Sequence, residues 1–497
     1  REVVTLTHAK VRDFYTKYYH PSNGRAFCFG PQDFVDECLN VMEPYLAKYD
    51  ANDKIHKASE VGWKELGKIN SIQESVPYAS YQDTHDFRFA YSYALNAQPM
   101  DDRTKMIWYI IEDLLIGSTA AVIPRVIVEE SLGDDYMGGL QANLRQWVLT
   151  IGVSGISTEE NVGVARIRIK QRILKIAEEG FDDAAVKGTL NKLDMRFREQ
   201  SSQGAPLGVK MFKDVLTTWT YDEDPRKALS YSKVFASLKA EIEENGQGVL
   251  LQMITRHMVD SQYELATKLI PSTDLFSLYQ SQEQEWLDNL PNIITTEQAL
   301  DILQETEDLK EVQETPDSQE VLAKISLLTV SDLRAMNFEI PTKIHTSVFD
   351  SGIDLLEHEV PNSNGIAYVD YSIDISNMDF DDVVLLPLFS ELLLTAGNNY
   401  QNGVEMQRQI DALTGGLTVQ AIVEEIVDAA SDGSYVVPTG QNMVTKMIVR
   451  SSCLASSGCV PMFNMIKQVV FDADVQKQAK VIEILKKMID DMEDNVQ

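Results

Sequence analysis

The spacing of apolar positions divides the chain into runs of helix and strand. Val11–Tyr19 has helical spacing, and His20-Pro21-Ser22-Asn23-Gly24 is turn chemistry. Arg25–Phe29 reads as a short strand ending at Gly30-Pro31. Phe34, Cys38, Val41, Met42 and Leu46 predict a helix over Asp33–Lys48. Tyr49–Val76 is polar without a clear period and reads as a linker.

A second block follows. Phe87–Leu95 is a strand, and Arg103–Ile116 is an apolar helix closed by Gly117. Ala121–Glu130 is a helix, and Gly138-Gly139 precedes an alternating strand, Leu144–Val153. Glu159–Glu179 is a long helix stopped by Gly180. Asp182 is the N-cap of the next, which runs to about Gln200. Ser201–Gly208 is a break, Tyr231–Asn245 and Gly248–Met258 are helical, and Gln262–Ile270 is a strand.

Thr273–Asp332 is rich in Glu, Gln and Leu, with Pro291 and Pro316 as breakers. It predicts an exposed helical hairpin, Asp274–Asn289 paired with Thr296–Gln313. Beyond it, His345–Asp350 and Leu355–Val360 are strands about a turn, and Ile366–Ile375 is an alternating strand. Asp381–Thr395 is an apolar helix ended by Gly397, and Val404–Leu413 is a second helix. Gly415-Gly416 leads into the strand Leu417–Val423, Val444–Ser451 is another strand, and Met462–Phe471 and Val481–Asp494 are helical.

The order repeats. Ile110–Gly117 resembles Leu388–Gly397, and each is followed by a second helix, a Gly-Gly pair and a strand. The pattern therefore predicts an α+β protein of repeated units, with a helical connector between the larger ones. The boundaries fall at residues 1–50, a linker at 51–75, a unit at 76–272, the connector at 273–342 and a unit at 343–497.

Composition agrees with a globular chain of two to four domains: 497 residues, 44% hydrophobic and 24% charged. No apolar run reaches the roughly 18 residues that cross a bilayer. Ile107–Ile116 and Val383–Leu394 come nearest and are interrupted by Glu112, Asp113, Ser390 and Glu391. Arg1–Thr7 lacks the layout of a signal peptide, and both ends read as cut from something longer. The net charge of −32 repels phosphate backbones and anionic lipid, so neither nucleic acid nor membrane is an expected partner. Cys28, Cys38, Cys453 and Cys459 are too few for a disulfide scaffold and suit a reducing or organellar interior.

The chemistry-bearing residues do not converge on a motif. His8, His20, His56, His85, His257, His345 and His358 include no pair spaced for zinc on one helix face, and neither His-Glu-x-x-His nor His-x-x-Glu-His occurs. Glu357-His358-Glu359 alternates on a strand, so His358 points away from both carboxylates. Gly138-Gly139 and Gly415-Gly416 lack the Lys and Ser/Thr of a phosphate cradle and read as turn glycines. Asp101-Asp102 and Asp381-Asp382 open helices, where negative charge suits the macrodipole, and read as caps rather than dyads. No catalytic, cofactor-binding or metal-binding residue is expected within this chain.

A set of short motifs resembles one family. Leu6-Thr7, Phe14, Tyr18-Tyr19-His20-Pro21-Ser22-Asn23 and Phe27 are similar to the end of the first domain in presequence proteases and falcilysin, of the pitrilysin family. Glu129–Asp134, Glu179–Asp183, the charged hairpin and Asp411–Gly416 resemble later features of that family in the same order. The resemblance implies four homologous α+β domains in two halves around a chamber. It implies zinc for the full-length enzyme, held by an inverted His-x-x-Glu-His helix lying before Arg1, and none bound by this fragment. Residues 1–50 would end the first catalytic-type domain, 76–272 would form the second, and 343–497 would form an incomplete third. The implied role is chamber wall and hinge of a metalloendopeptidase, inactive without the remaining catalytic domain. The implied substrates are unfolded, basic peptides such as presequences, in the mitochondrial matrix or a plastid. The alternatives are a non-catalytic relative, such as a core-type subunit of a respiratory complex, and a helical-repeat interaction protein.

Overall fold

The computed structural model of the chain describes residues 6–65, 69–80, 86–199, 206–325, 329–330, 340–348, 353–360, 363–425, 443–478, 480–485 and 488–489. Two compact units emerge, one of residues 1–76, 85–270 and 364–497, the other of 77–84 and 271–363.

The first unit opens with three helices, α1 (His8–Tyr18), α2 (Gln32–Leu46) and α3 (Asp53–Ser59). Thr7 caps α1 by accepting from Lys10 N at 3.3 Å. None of the three helices holds a fully buried residue. Arg25–Phe29, expected as a strand, joins no ladder among the described residues; β structure needs a neighbouring strand to take up its N–H and C=O groups. The expected linker Tyr49–Val76 instead contains α3 and most of β1 (Ile69–Ala79). β1 lies at the edge of its sheet, where polar residues and Pro77 are tolerated, so its sequence carries little strand signal.

The sheet is built next. β2 (Phe87–Ala94) buries the rings of Phe89, Tyr91 and Tyr93 on one face. α4 (Asp102–Ile116) is buried along most of its length, with Trp108, Ile110 and Ile111 fully enclosed. Each such side chain contributes roughly 1.5–3 kcal/mol of burial. α5 (Val122–Glu129) follows, then β3 (Asp135–Gln141) and β4 (Val148–Ile156). Gly138 and Gly139 lie within β3 and not in a turn. Both have positive φ, and a β-carbon at residue 138 would collide with the Thr150 carbonyl.

α6 (Glu159–Glu179) presents Val162, Ala165, Ile169, Ile173 and Ile176 as a buried stripe at helical spacing. Gly180, at φ +86, ends it, and the Gln247 side chain bonds both Phe181 N and Phe181 O across the break. α7 (Asp183–Arg198) is capped by Asp182, which accepts from Ala184 N and Ala185 N. α8 (Leu207–Trp219), α9 (Tyr231–Asn245), α10 (Gly248–Ile254) and β5 (Tyr263–Ser272) complete this part. The strand order is β1-β5-β2-β4-β3, and β2 runs antiparallel to both neighbours, with Ala90 opposite Gly152 and Thr267.

The second unit contains α11 (Asp274–Ile293), α12 (Thr296–Glu314), the short α13 (Gln319–Leu322) and a two-stranded sheet of β6 (Thr342–Val348) and β7 (Ile353–His358). The expected hairpin pairing of α11 with α12 is not formed: the two helices do not lie packed along one another. Leu300, Leu303 and Val312 of α12 are exposed. α11 also runs through Pro291, which sits in its last turns and does not break it.

The rest of the first unit begins at β8 (Ile366–Asp374), followed by α14 (Phe380–Val383) and α15 (Leu386–Thr395), which replace the single expected helix Asp381–Thr395. Pro387, in the first turn of α15, suits a helix start and not a helix interior. α16 (Gly403–Leu413), β9 (Leu417–Glu425), β10 (Met443–Leu454) and α17 (Val460–Phe471) follow. The helix expected over Val481–Asp494 lies partly outside the described residues. Its described part packs Val481, Ile484 and Met488 with Leu392 and Ala396.

The two sheets of the first unit share one topology. The chain runs β2, α4, α5, β3, β4, α6 in one and β8, α15, α16, β9, β10, α17 in the other. In each, the last strand lies between the first two, as β2-β4-β3 and β8-β10-β9, all antiparallel. Each has its own apolar core, one around Trp108 and Ile151, the other around Met406 and Val449. The fold class is α+β, with antiparallel sheets packed by helices.

Candidate functional site

The histidines are dispersed. His8 lies on α1, His20 Nδ1 accepts from Ser22 N at 3.1 Å, and His56 Nε2 stands 3.4 Å from Asp222. His257 is half-buried against the edge of Trp108, with centroids 5.5 Å apart, and burial lowers its pKa to about 4. His345 Nε2 lies 2.9 Å from Glu357, while His358 Nδ1 lies 2.9 Å from Thr342 Oγ1. Glu357 and His358 thus use opposite faces of β7, all of it exposed. The hydrogen bond from His345 holds Glu357 below the usual carboxylate range. His85 lies outside the described residues.

Zinc finds no ligand set here: among the described residues no group of three or more His, Cys, Asp or Glu could hold a metal ion. The paired aspartates behave as helix starts. Asp101 accepts from Thr104 N at 2.6 Å, which lowers its pKa, and Asp381 and Asp382 lie in the first turn of α14. Cys453 and Cys459 face each other with sulfurs 3.6 Å apart, and burial pushes the Cys453 thiol up to about 11. Cys38 is raised as well, and the described cysteines are free thiols.

What the fold does assemble is a polar junction between its two repeats. α7 of the first packs on α16 of the second, and Gly188 makes this possible: a β-carbon there would stand 3.2 Å from Ala412 Cα. Asn191 Nδ2 donates to Ala412 O at 3.2 Å. Beside this contact, Lys192 Nζ donates to Asp113 at 2.7 Å and to Gly117 O at 3.0 Å, and Thr189 Oγ1 donates to Asp113 at 2.9 Å. Burial raises the Asp411 carboxyl on α16 above its usual range, against the pull of Lys192. Sequence reading does not find this cluster, because Asp113, Lys192 and Asp411 are far apart in the chain. The helix-helix signal available was a glycine inside an otherwise regular helix.

A second buried charge lies within the first repeat. Lys170 Nζ donates to Met258 O at 2.9 Å, pairs with Glu264, and sits over the rings of Tyr91 and Tyr93 at 5.4 and 5.5 Å. Burial, and then the Glu264 charge, push the Tyr93 phenol well above its ordinary value. These groups tie α6 to β5 and β2.

The two repeats, each an antiparallel sheet of one topology packed by helices, define a duplicated α+β fold. The chain belongs to the pitrilysin-type M16 peptidase family. Residues 5–193 match the model described as "Peptidase M16 inactive domain", and residues 269–497 match the model of the region associated with subfamily C of the M16 peptidases. Curated relatives include presequence protease 1, chloroplastic/mitochondrial, of Arabidopsis thaliana, 27% identical over 89% of this chain and 41% of its own length. The mitochondrial presequence protease of Saccharomyces cerevisiae is 23% identical over 85% of this chain and 41% of its own. Protein HypA of Clostridium perfringens is 23% identical, over 85% and 42%. The chain thus spans about two fifths of the length of these relatives. Among solved structures, a protease from Helicobacter pylori is similar at TM-score 0.40 and 14% identity, over 54% of this chain and 60% of that one. The M16 inactive domain from Pseudomonas fluorescens is similar at 0.37 and 11%, over 54% and 58%. The fold assignment stands on the chain's own strands and helices.

Proposed function

We propose that this chain is the enclosing, non-metal part of a zinc metalloendopeptidase that degrades unfolded peptides. In this reading residues 1–50 end a first catalytic-type domain, 51–75 link it onward, 76–272 and 343–497 are two further pitrilysin-type domains, and 273–342 connect them. The observation that carries it is the shared β2-β4-β3 and β8-β10-β9 topology in a chain of this family. The exposed apolar residues of α1 and α2, among them Phe14, Tyr15, Leu39, Val41 and Tyr45, support the first assignment, since an isolated helix pair does not leave such a surface bare without a partner. Zinc, its ligands and the catalytic base are then supplied by polypeptide other than the residues described.

The substrates follow from charge. At −32, with Glu297, Asp301, Glu305, Glu307, Asp308, Glu311 and Glu314 along α12, the protein attracts basic peptides and repels acidic ones. Presequences of mitochondria or plastids, the compartments named for several relatives, have that character. Fluorescence anisotropy with unfolded peptides of equal length tests this. A basic peptide should bind, weaken as salt rises, and outcompete an acidic one. Equal binding of both peptides contradicts the substrate class.

A further inference from the structure

Three helices each bring a guanidinium to one pocket of about 170 Å³ in the first unit. Arg125 comes from α5, Arg172 from α6 and Arg408 from α16, so the pocket draws on both repeats. The Nε atoms of Arg125 and Arg408 are buried and have no hydrogen-bond partner. Their ion pairs are with their own helices: Arg125 Nε is 3.5 Å from Glu129 and Arg408 Nη1 is 3.6 Å from Glu405. Both of those carboxylates are about half exposed. Arg172 makes no hydrogen bond or ion pair among the described residues.

The carboxylates on the pocket wall are already engaged. Asp113 holds Lys192 and Thr189, Asp182 caps α7, Asp411 accepts from Gln407 at 2.9 Å, and Glu179 stands 3.6 Å from Lys175. The three arginines line the pocket together with these carboxylates and Lys175. Burial, and then repulsion from Arg408 with a smaller part from Arg172, lower the Arg125 pKa against the pull of Glu129 and Asp182. Among carboxylates this numerous, the buried Nε donors of Arg125 and Arg408 still find no acceptor.

We propose that this pocket binds a phosphate group, gripped by Arg125 and Arg172 from one repeat and Arg408 from the other, and that the bound anion fastens the two repeats together. Planar guanidinium forks match the acceptor oxygens of a phosphate, and a tetrahedral oxyanion offers enough of them for three forks at once. Pockets that enclose whole drug-sized ligands run to about 300–1,000 Å³, so only the phosphate of an organic ester would enter this one. This inference is independent of the peptide-degrading role.

Thermal unfolding of the whole chain, titrated at constant ionic strength against chloride, tests it with two probes: inorganic phosphate and adenosine 5′-monophosphate. A saturable rise in Tm with either supports the site, and which probe acts identifies the free ion or a phosphate ester as the source. R172Q and R408Q should each weaken the response at least tenfold. Arg172→Gln removes no hydrogen bond or ion pair among the described residues, and without phosphate its Tm should equal or exceed that of the native chain because repulsion is relieved. No rise with either probe, or the same rise in both variants, overturns the proposal.

Discussion

Gly188 and Ala412 meet backbone to backbone: a β-carbon on residue 188 would stand 3.2 Å from Ala412 Cα. This contact sets how closely α7 of one repeat approaches α16 of the other. A branched side chain must push the helices apart. Gly188→Val should cost about 1–3 kcal/mol in urea unfolding. Gly163 is the matched control, on the exposed side of α6 with open space around it. Gly163→Ala should stabilise by about 0.5–1 kcal/mol. A silent Gly188→Val would show that the junction is loose.

Lys192 and Asp411 should respond in opposite directions. Lys192→Met strands Asp113 without its cation and should cost about 2 kcal/mol. Asp411 is an acid whose pKa is raised on folding, so the native state holds more protons than the unfolded state between the two pKa values. Stability from this group therefore falls as pH rises through that window. Asp411→Asn should flatten that fall and be neutral or stabilising at neutral pH. Free energies of unfolding measured from pH 4 to 8 decide it.

His257 gives the reverse pH dependence. Its pKa drops from 6.5 to about 4 on folding, so the unfolded chain takes up the proton first. Stability should be lost as pH falls from 6.5 towards 4. His257→Phe keeps an aromatic edge against Trp108 and should lack this loss. Parallel curves for the two proteins would refute the buried, neutral imidazole.

The connector offers a local test. Thr295 and Gln298 form a reciprocal capping box at the start of α12, with Thr295 Oγ1 accepting from Gln298 N and Gln298 Oε1 from Thr295 N. Because α12 buries nothing, Thr295→Ala should cost about 1 kcal/mol there and leave global stability unchanged. Hydrogen exchange should quicken over Thr296–Glu314 alone.

How far the sequence foretells this structure depends on which forces shaped each element. α6 is legible to the residue, because an amphipathic stripe runs between a capping Thr158 and Gly180. The duplication is legible in the order of two helices and then a strand, although the first repeat's glycines sit inside β3 and those of the second precede β9. β1 is obscured by edge polarity and Pro77. The pattern reading does not predict α8, which buries only Val215 and Thr218 fully and so carries a weak stripe. Gly138 and Gly139 look like a turn but lie within β3, where Gly138 allows the close approach to the Thr150 carbonyl of β4. The junction of Asp113, Lys192 and Asp411, and the arginine pocket beside it, arise from tertiary packing between residues distant in sequence. No local period encodes them.

In the proposed role this polypeptide encloses substrate for a metal carried elsewhere. Zinc content of the purified chain, measured by mass spectrometry alongside cleavage of a fluorogenic unfolded peptide, tests it most directly. That role requires well under one zinc per chain and no cleavage above background. One tightly held zinc per chain with cleavage abolished by a chelator would contradict it.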